Sequence, residues 1–316
     1  MTERRASHTA VMVCEGRAAA HGRIAPGRFA DPTAMPLLRP EERAEVELVR
    51  EERPPKDMKA RISYEMIRGG AEVVVPRTVA IDDAIVEEPA EQVVILGAGL
   101  DGRAWRLVGP ARFFEVDHPA SQEDKRARAA ALADLSGEPP SGEPPSSQSL
   151  SGQPPSGQPP SGRILSGRPP TYVPVDFAHD VLTDALEAAG HRADRPTVWV
   201  WEGVVPYLTR PQVEATVAAA GARSATGSRF IVNYQIPSLL GNVVRKVIGA
   251  IAGRVNPWAA EPWRSAWTPA AMARLLALHG FAVRRDQDLL ETATAMGVRL
   301  NQRYSLKSSR VAIATR

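Results

Sequence analysis

Three glycines, Gly97, Gly99 and Gly102, stand in Leu96-Gly97-Ala98-Gly99-Leu100-Asp101-Gly102, directly after the apolar run Gln92–Leu96. Glycines so placed permit a tight strand-to-helix turn whose backbone a ligand can approach closely. Asp117 ends the next apolar run about twenty residues on, where a carboxylate can accept from both hydroxyls of a ribose. Two further acids, Asp176 and Glu202, close later runs. These residues together suggest a nucleoside-bearing ligand, and on the glycines and Asp117 alone NAD and S-adenosylmethionine look alike. Charge separates them. A pyrophosphate needs the positive end of the following helix, and Asp101 in that turn opposes it unless Arg103 compensates. S-adenosylmethionine has no phosphate; it presents a sulfonium, an ammonium and one carboxylate. Acids at successive strand ends suit it, and a single arginine can take its carboxylate as a bidentate pair. The pattern favours the methyl donor.

The elements that must position these groups are legible from periodicity. Gln92–Leu96, Arg112–Val116, Tyr172–Val175, Val198–Trp201 and Arg229–Asn233 read as buried strands, and Phe281–Arg285 and Arg310–Thr315 as two late ones. Helices fall between them. Pro119 opens one that runs through Lys125 and Ala131. Asp180–Ala189 forms another, with Gly190 at its stop. Thr209 caps a third with Pro211 in its first turn, and Thr268-Pro269 begins a fourth ending at Gly280. Strand–helix alternation of this kind predicts an α/β fold with a doubly wound, mainly parallel sheet, whose ligand sits at the carboxyl ends of the strands. Residues 1–90 read as mostly helical and are expected to cover the edge of that sheet. Trp199 and Trp201 alternate on a buried strand and read as core.

Composition narrows the class. The 316 residues are 43% hydrophobic, with a formal net charge of +3 and no Lys/Arg cluster, so no nucleic-acid partner is expected. The single cysteine, Cys14, excludes an intrachain disulfide and a zinc ribbon, and no metal site is expected. No apolar run approaches a membrane span, and the start of the chain lacks a secretory core. The expectation is a soluble, cytoplasmic protein without membrane contact. From Ser136 to Pro170 the chain repeats five-residue units beginning with Ser, most of them Ser-Gly-X-Pro-Pro. Paired prolines remove backbone donors, so residues 136–170 read as a disordered or polyproline-II loop inserted in the fold.

Four stretches in order carry a family resemblance: Glu91–Leu107, Phe114–Arg126, Val173–Asp180 and Trp201–Thr209. With Ser7–Ala20, Phe29-Ala30-Asp31-Pro32, Pro76-Arg77-Thr78 and Glu261-Pro262-Trp263, the chain resembles the leucine carboxyl methyltransferase-like family of class I S-adenosylmethionine-dependent enzymes, in its bacterial O-methyltransferase branch. The resemblance implies a Rossmann-like methyltransferase sheet of about seven strands over residues 91–316. It also implies site roles. Arg77 would bind the donor carboxylate, and the backbone around Gly97 and Gly99 would face the methionine and ribose. Asp117 would hold the ribose hydroxyls. Asp176 and the Phe177 backbone would address adenine, Glu202 would lie near the methionine end, and Arg17 would close the pocket.

The acceptor is less defined. Family members that methylate a leucine carboxylate have Asp-Leu-Arg where this chain has Asp176-Phe177-Ala178, so a natural carboxylate anchor is missing. Tyr207 is expected to touch the acceptor, and His179 or His118 to serve as a base. Leu239, Val243, Val247 and Ile251 recur at helical spacing and are followed by Trp258, Trp263 and Trp267. Residues 236–267 are therefore expected to form an apolar lid or acceptor wall, or simply a packed helix. The function expected is methyl transfer to an oxygen of a small apolar metabolite by a monomer or homodimer. The alternatives are an NAD-linked oxidoreductase, for which no Tyr-x-x-x-Lys pair exists, and a non-catalytic S-adenosylmethionine-binding scaffold.

Overall fold

Runs rich in Val, Ile, Phe and Trp form seven short strands, because branched and aromatic side chains pack well on a pleated surface buried on both sides. In the computed structural model, which describes residues 7–107, 109–136, 168–177, 179–237, 263–298 and 301–316, these are β1 (Gln92–Leu96), β2 (Arg112–Asp117), β3 (Thr171–Pro174), β4 (Thr197–Trp201), β5 (Arg229–Gln235), β6 (Ala282–Asp288) and β7 (Ser309–Thr315). The order across the sheet is β3-β2-β1-β4-β5-β7-β6. Strands β1 to β5 are mutually parallel, and β7 runs antiparallel between β5 and β6. Strand order reverses between β1 and β4, which opens a crevice at their carboxyl ends. The expected strands are all present, most of them longer by one to three residues at an end.

Three helices precede the sheet: α1 (His8–Ala20), α2 (Pro40–Arg50) and α3 (Met58–Glu87). Their apolar residues, among them Cys14, Val46, Ile67, Val75 and Ile81, share one core with Val93, Ile95, Val198, Val200, Ile231 and Ile313. The helices thus cover a face of the sheet, not its edge, because alternate strand residues present an apolar surface that only a packed layer can bury. Helix α3 lies against β5 and β7, and Arg229 on β5 reaches the Ala84 carbonyl (2.5 Å) near the end of α3. That bond fixes the long helix that carries Arg77.

The opposite face packs Trp199, Trp201, Phe114 and Phe230, confirming the two tryptophans as core. Its helices are α6 (Leu182–Ala188), α7 (Arg210–Ala222) and α8 (Pro269–Leu278), whereas α5 (Pro119–Ser136) lies on the first face, where Leu132 joins the core of the N-terminal helices and Arg128 pairs with Glu42; a one-turn α4 (Arg103–Arg106) follows the glycine turn, and α9 (Leu289–Ala295) and α10 (Arg303–Ser308) lie near the end of the chain. Thr209 and Thr268 take the predicted cap positions, with Thr268 accepting from the Ala271 N–H. Helix α6 starts two residues later than expected, because Asp180 folds back to accept from the Asp176 N–H. Among the described residues no helix is long and apolar enough to cross a membrane. Most of the Ser-Gly-X-Pro-Pro repeat (137–167) and most of the expected lid (238–262, with Trp258) lie outside the described residues.

Candidate functional site

A cavity of about 430 Å³ lies in the crevice at the carboxyl ends of β1 to β4. The sheet order sets its layout. Asp176 and Phe177 follow β3, Asp117 ends β2, the glycine turn follows β1, and Glu202 follows β4; all line the same cavity. Two arginines enter from the helical layer, Arg17 on α1 and Arg77 on α3, and both line it as well. Tyr207 lines the cavity from the short 3-10 turn after β4.

The turn geometry is local. Gly97 and Gly99 have φ of +66° and +48°, backbone that disfavours any side chain. A Cβ on Gly97 would also collide with Val204, and one on Gly99 would come within 2.9 Å of the Ala10 side chain. The third glycine serves another purpose: a Cβ on Gly102 would overlap Thr33, so Gly102 lets the N-terminal segment press onto the turn. Asp117 accepts from the Gly99 N–H (2.5 Å) and the His118 N–H (2.7 Å), which fix its carboxylate in the cavity lining. Burial pushes the Asp117 carboxyl above its ordinary range, opposed by those two N–H groups.

On the β4 side the charges form a continuous buried chain. Arg17 pairs with Asp31 (2.9 Å), Asp31 with Arg106 (3.8 Å), and Arg106 with Asp82 (2.5 Å). Asp82 pairs with Arg103 (2.7 Å), which bridges Asp101 and Glu202, and Glu202 pairs with Arg77 (2.6 Å). Four guanidinium groups are thus matched by four carboxylates, the condition under which charges can be buried at all. Burial alone would raise the Glu202 carboxyl, but Arg103, Arg77 and Arg17 hold it well below the usual carboxylate range. Its two oxygens face two guanidinium groups, so Glu202 orients Arg77 rather than standing bare toward a ligand. Arg77 keeps one group unspent: its buried Nη2 has no hydrogen-bond partner among the described residues.

Two expectations need correction. His179 does not line the cavity; its N–H and that of Asp180 both bond to the Asp176 carbonyl, and this turn carries the imidazole to the surface. His118 does line it, with Nε2 3.8 Å from Asp176. The charge argument from Asp101 also changes, because Arg103 neutralises that acid through both its N–H and its guanidinium. What disfavours a pyrophosphate here is the length of α4, only four residues, which gives little dipole or N–H array for phosphate. Asp31, Asp82 and Arg106 were given no role from the sequence. Asp31 and Arg106 had a signal, their places in Phe29-Ala30-Asp31-Pro32 and Glu91–Leu107, and Asp82 had none. Among the described residues no cluster of three or more His, Cys, Asp or Glu could hold a metal.

A family model described as leucine carboxyl methyltransferase matches residues 10–221. The chain belongs to this family. The matched span contains every cavity residue named above and the whole ion-pair chain. A Streptomyces coelicolor relative, provisionally named an S-adenosyl-L-methionine-dependent methyltransferase, is 33% identical over 199 residues, covering 60% of this chain and 56% of its own. A Mycolicibacterium vanbaalenii relative with the same provisional name is 32% identical over 238 residues, covering 71% of this chain and 66% of its own. The chain spans about half the length of the first curated relatives it matches. Among solved structures, a provisionally named methyltransferase from Thermobifida fusca aligns over 100% of this chain and 96% of its own at 14% identity, with a TM-score of 0.48.

Proposed function

We propose that this chain is an S-adenosylmethionine-dependent methyltransferase that delivers the methyl group to an oxygen, carboxylate or hydroxyl, of a small and largely apolar metabolite. One observation carries the cofactor assignment. Arg77, anchored on Glu202 through its Nε, lines the same cavity as Asp117. Guanidinium N–H groups not spent on Glu202 would be met by a ligand carboxylate. The remaining lining fits the rest of the donor: Asp117 for the ribose hydroxyls, Asp176 and the Phe177 backbone for adenine, and Gly97 for close approach. The provisional names of the relatives support the same activity.

Bound there, the donor supplies a methyl carbon activated by positive sulfur. The protein's task is then alignment and exclusion of water. Arg77, held by Glu202, fixes the methionine end, and Asp117, held by two backbone N–H groups, fixes the ribose. Tyr207 lines the β4 side of the cavity, where it would contact an acceptor brought up to a donor held between these anchors. A carboxylate acceptor needs no proton removed, whereas a hydroxyl benefits from a base. His118 lines the cavity on the Asp117 side, toward adenine, so the layout favours an acceptor that needs no strong base. Calorimetry with S-adenosylhomocysteine and with NAD tests the cofactor. Turnover of isotopically labelled donor across a panel of carboxylic acids and phenols tests the acceptor. Binding of NAD without S-adenosylhomocysteine would refute the proposal.

A further inference from the structure

Asp31 is a fully buried carboxylate with no part in the steps above. It sits between α1 and α2 and accepts from the Thr33 N–H (3.0 Å) and hydroxyl (2.5 Å). It faces Arg17 Nε at 2.9 Å and Arg106 at 3.8 Å. The Arg17 side chain is only 5% exposed, and its Nη2 donates to the Leu100 carbonyl (2.5 Å) inside the glycine turn. Such a guanidinium cannot swing away without leaving an unpaired charge behind it in the protein interior.

The cavity also has a direction. Its order from β3 through β2 and β1 to β4 runs from Asp176 through Asp117 and the glycine turn to Glu202. A donor seated with adenine at β3 and ribose at β2 places its amino acid beyond the glycine turn. Arg17 and Arg77 both stand at that end.

We propose that Asp31 is a positioning residue: it holds Arg17 over the methionine carboxylate of the donor, and through Arg106, Asp82, Arg103 and Glu202 it fixes Arg17 relative to Arg77, so that two guanidinium groups form one clamp. This rests on the methyltransferase reading. Asp31 touches no ligand itself. Its effect is confined to the amino acid end, because the groups at β2 and β3 belong to other elements and other hydrogen bonds.

The test compares two ligands by calorimetry on the full chain. S-adenosylhomocysteine carries the amino acid, and 5′-methylthioadenosine lacks it. In Asp31→Asn, affinity for S-adenosylhomocysteine falls about tenfold or more, the scale of one charge-assisted hydrogen bond. Affinity for 5′-methylthioadenosine stays within about twofold of wild type, below the ~1.4 kcal/mol that a tenfold change represents. Equal losses for both ligands would mean that Asp31 merely supports the fold, and no loss for either would remove its role; either result overturns the proposal. Should Asp31→Asn fail to fold, Arg17→Met and Asp31→Asn/Arg17→Met carry the test, since the double variant leaves no unpaired charge at this pair. Equal S-adenosylhomocysteine affinity in the two supports action through Arg17, and a further tenfold loss in the double variant overturns it. A wild-type chain that binds neither ligand would sink the methyltransferase reading itself, a different outcome from a wild type that binds both and an Asp31 variant that changes nothing.

Discussion

Replacing Arg77 with methionine separates ligand binding from folding, and the structure gives the size of each effect. Methionine keeps much of the buried aliphatic stem and removes the guanidinium. Glu202 loses Arg77 at 2.6 Å but keeps Arg103 at 2.7 Å. The carboxylate left behind is therefore still paired, and stability falls by about 1–2 kcal/mol rather than the ~3–5 kcal/mol of an uncompensated buried charge. Donor affinity suffers more. The guanidinium N–H groups of Arg77 not spent on Glu202 would make charge-assisted bonds to the donor carboxylate, worth roughly 2–4 kcal/mol together. That loss is about 30- to 700-fold in dissociation constant. Urea denaturation measures the first quantity and titration calorimetry with S-adenosylhomocysteine the second. A folded Arg77→Met chain that binds S-adenosylhomocysteine within about threefold of wild type would refute the reasoning, since no bidentate contact is worth so little.

Other outcomes follow from buried charge and close packing. Burial, with Glu45 and Glu42 nearby, pushes the Glu15 carboxyl up to about 7 from its ordinary 4.5. The unfolded chain ionises this group first as pH rises, so wild type loses stability between those two values. Glu15→Gln should be more stable than wild type at about pH 8, by on the order of 2–3 kcal/mol; the gain disappears below 4.5, and a difference that ignores pH in denaturation curves would contradict the assignment. Gly102→Ala places a methyl group on Thr33, which bonds to Asp31; denaturation should show a loss of about 1–3 kcal/mol, with weaker S-adenosylhomocysteine binding in calorimetry. His179→Ala removes an exposed ring outside the cavity and should leave both S-adenosylhomocysteine affinity and turnover unchanged, so a drop in either would return His179 to the site.

Much of the site was readable because it is local. The glycine turn, the acid that closes β2 and the acids after β3 and β4 are each specified by a few neighbouring residues, and strand and helix periods placed them at one end of one sheet. The tilt of the N-terminal helices was not readable. Residues 8–87 are amphipathic enough to demand a covering position, yet edge and face both offer apolar surface, and only the packed core with Val93, Val200 and Ile313 selects the face. The antiparallel course of β7 was equally hidden, since a short apolar run has the same pattern in either direction.

By itself the sequence determined the strand–helix alternation, the nucleoside-type turn and the identity of the groups at the strand tips, because these depend on backbone freedom and hydrophobic period within a few residues. Tertiary structure alone decided which charges meet. Arg77 and Glu202 stand 125 residues apart, and Arg17 finds Leu100 across 83. Coulomb attraction depends on distance in space and on burial, neither of which a linear chain records, so the buried guanidinium–carboxylate chain that shapes the amino acid end of the cavity exists only once the helical layer has closed on the sheet.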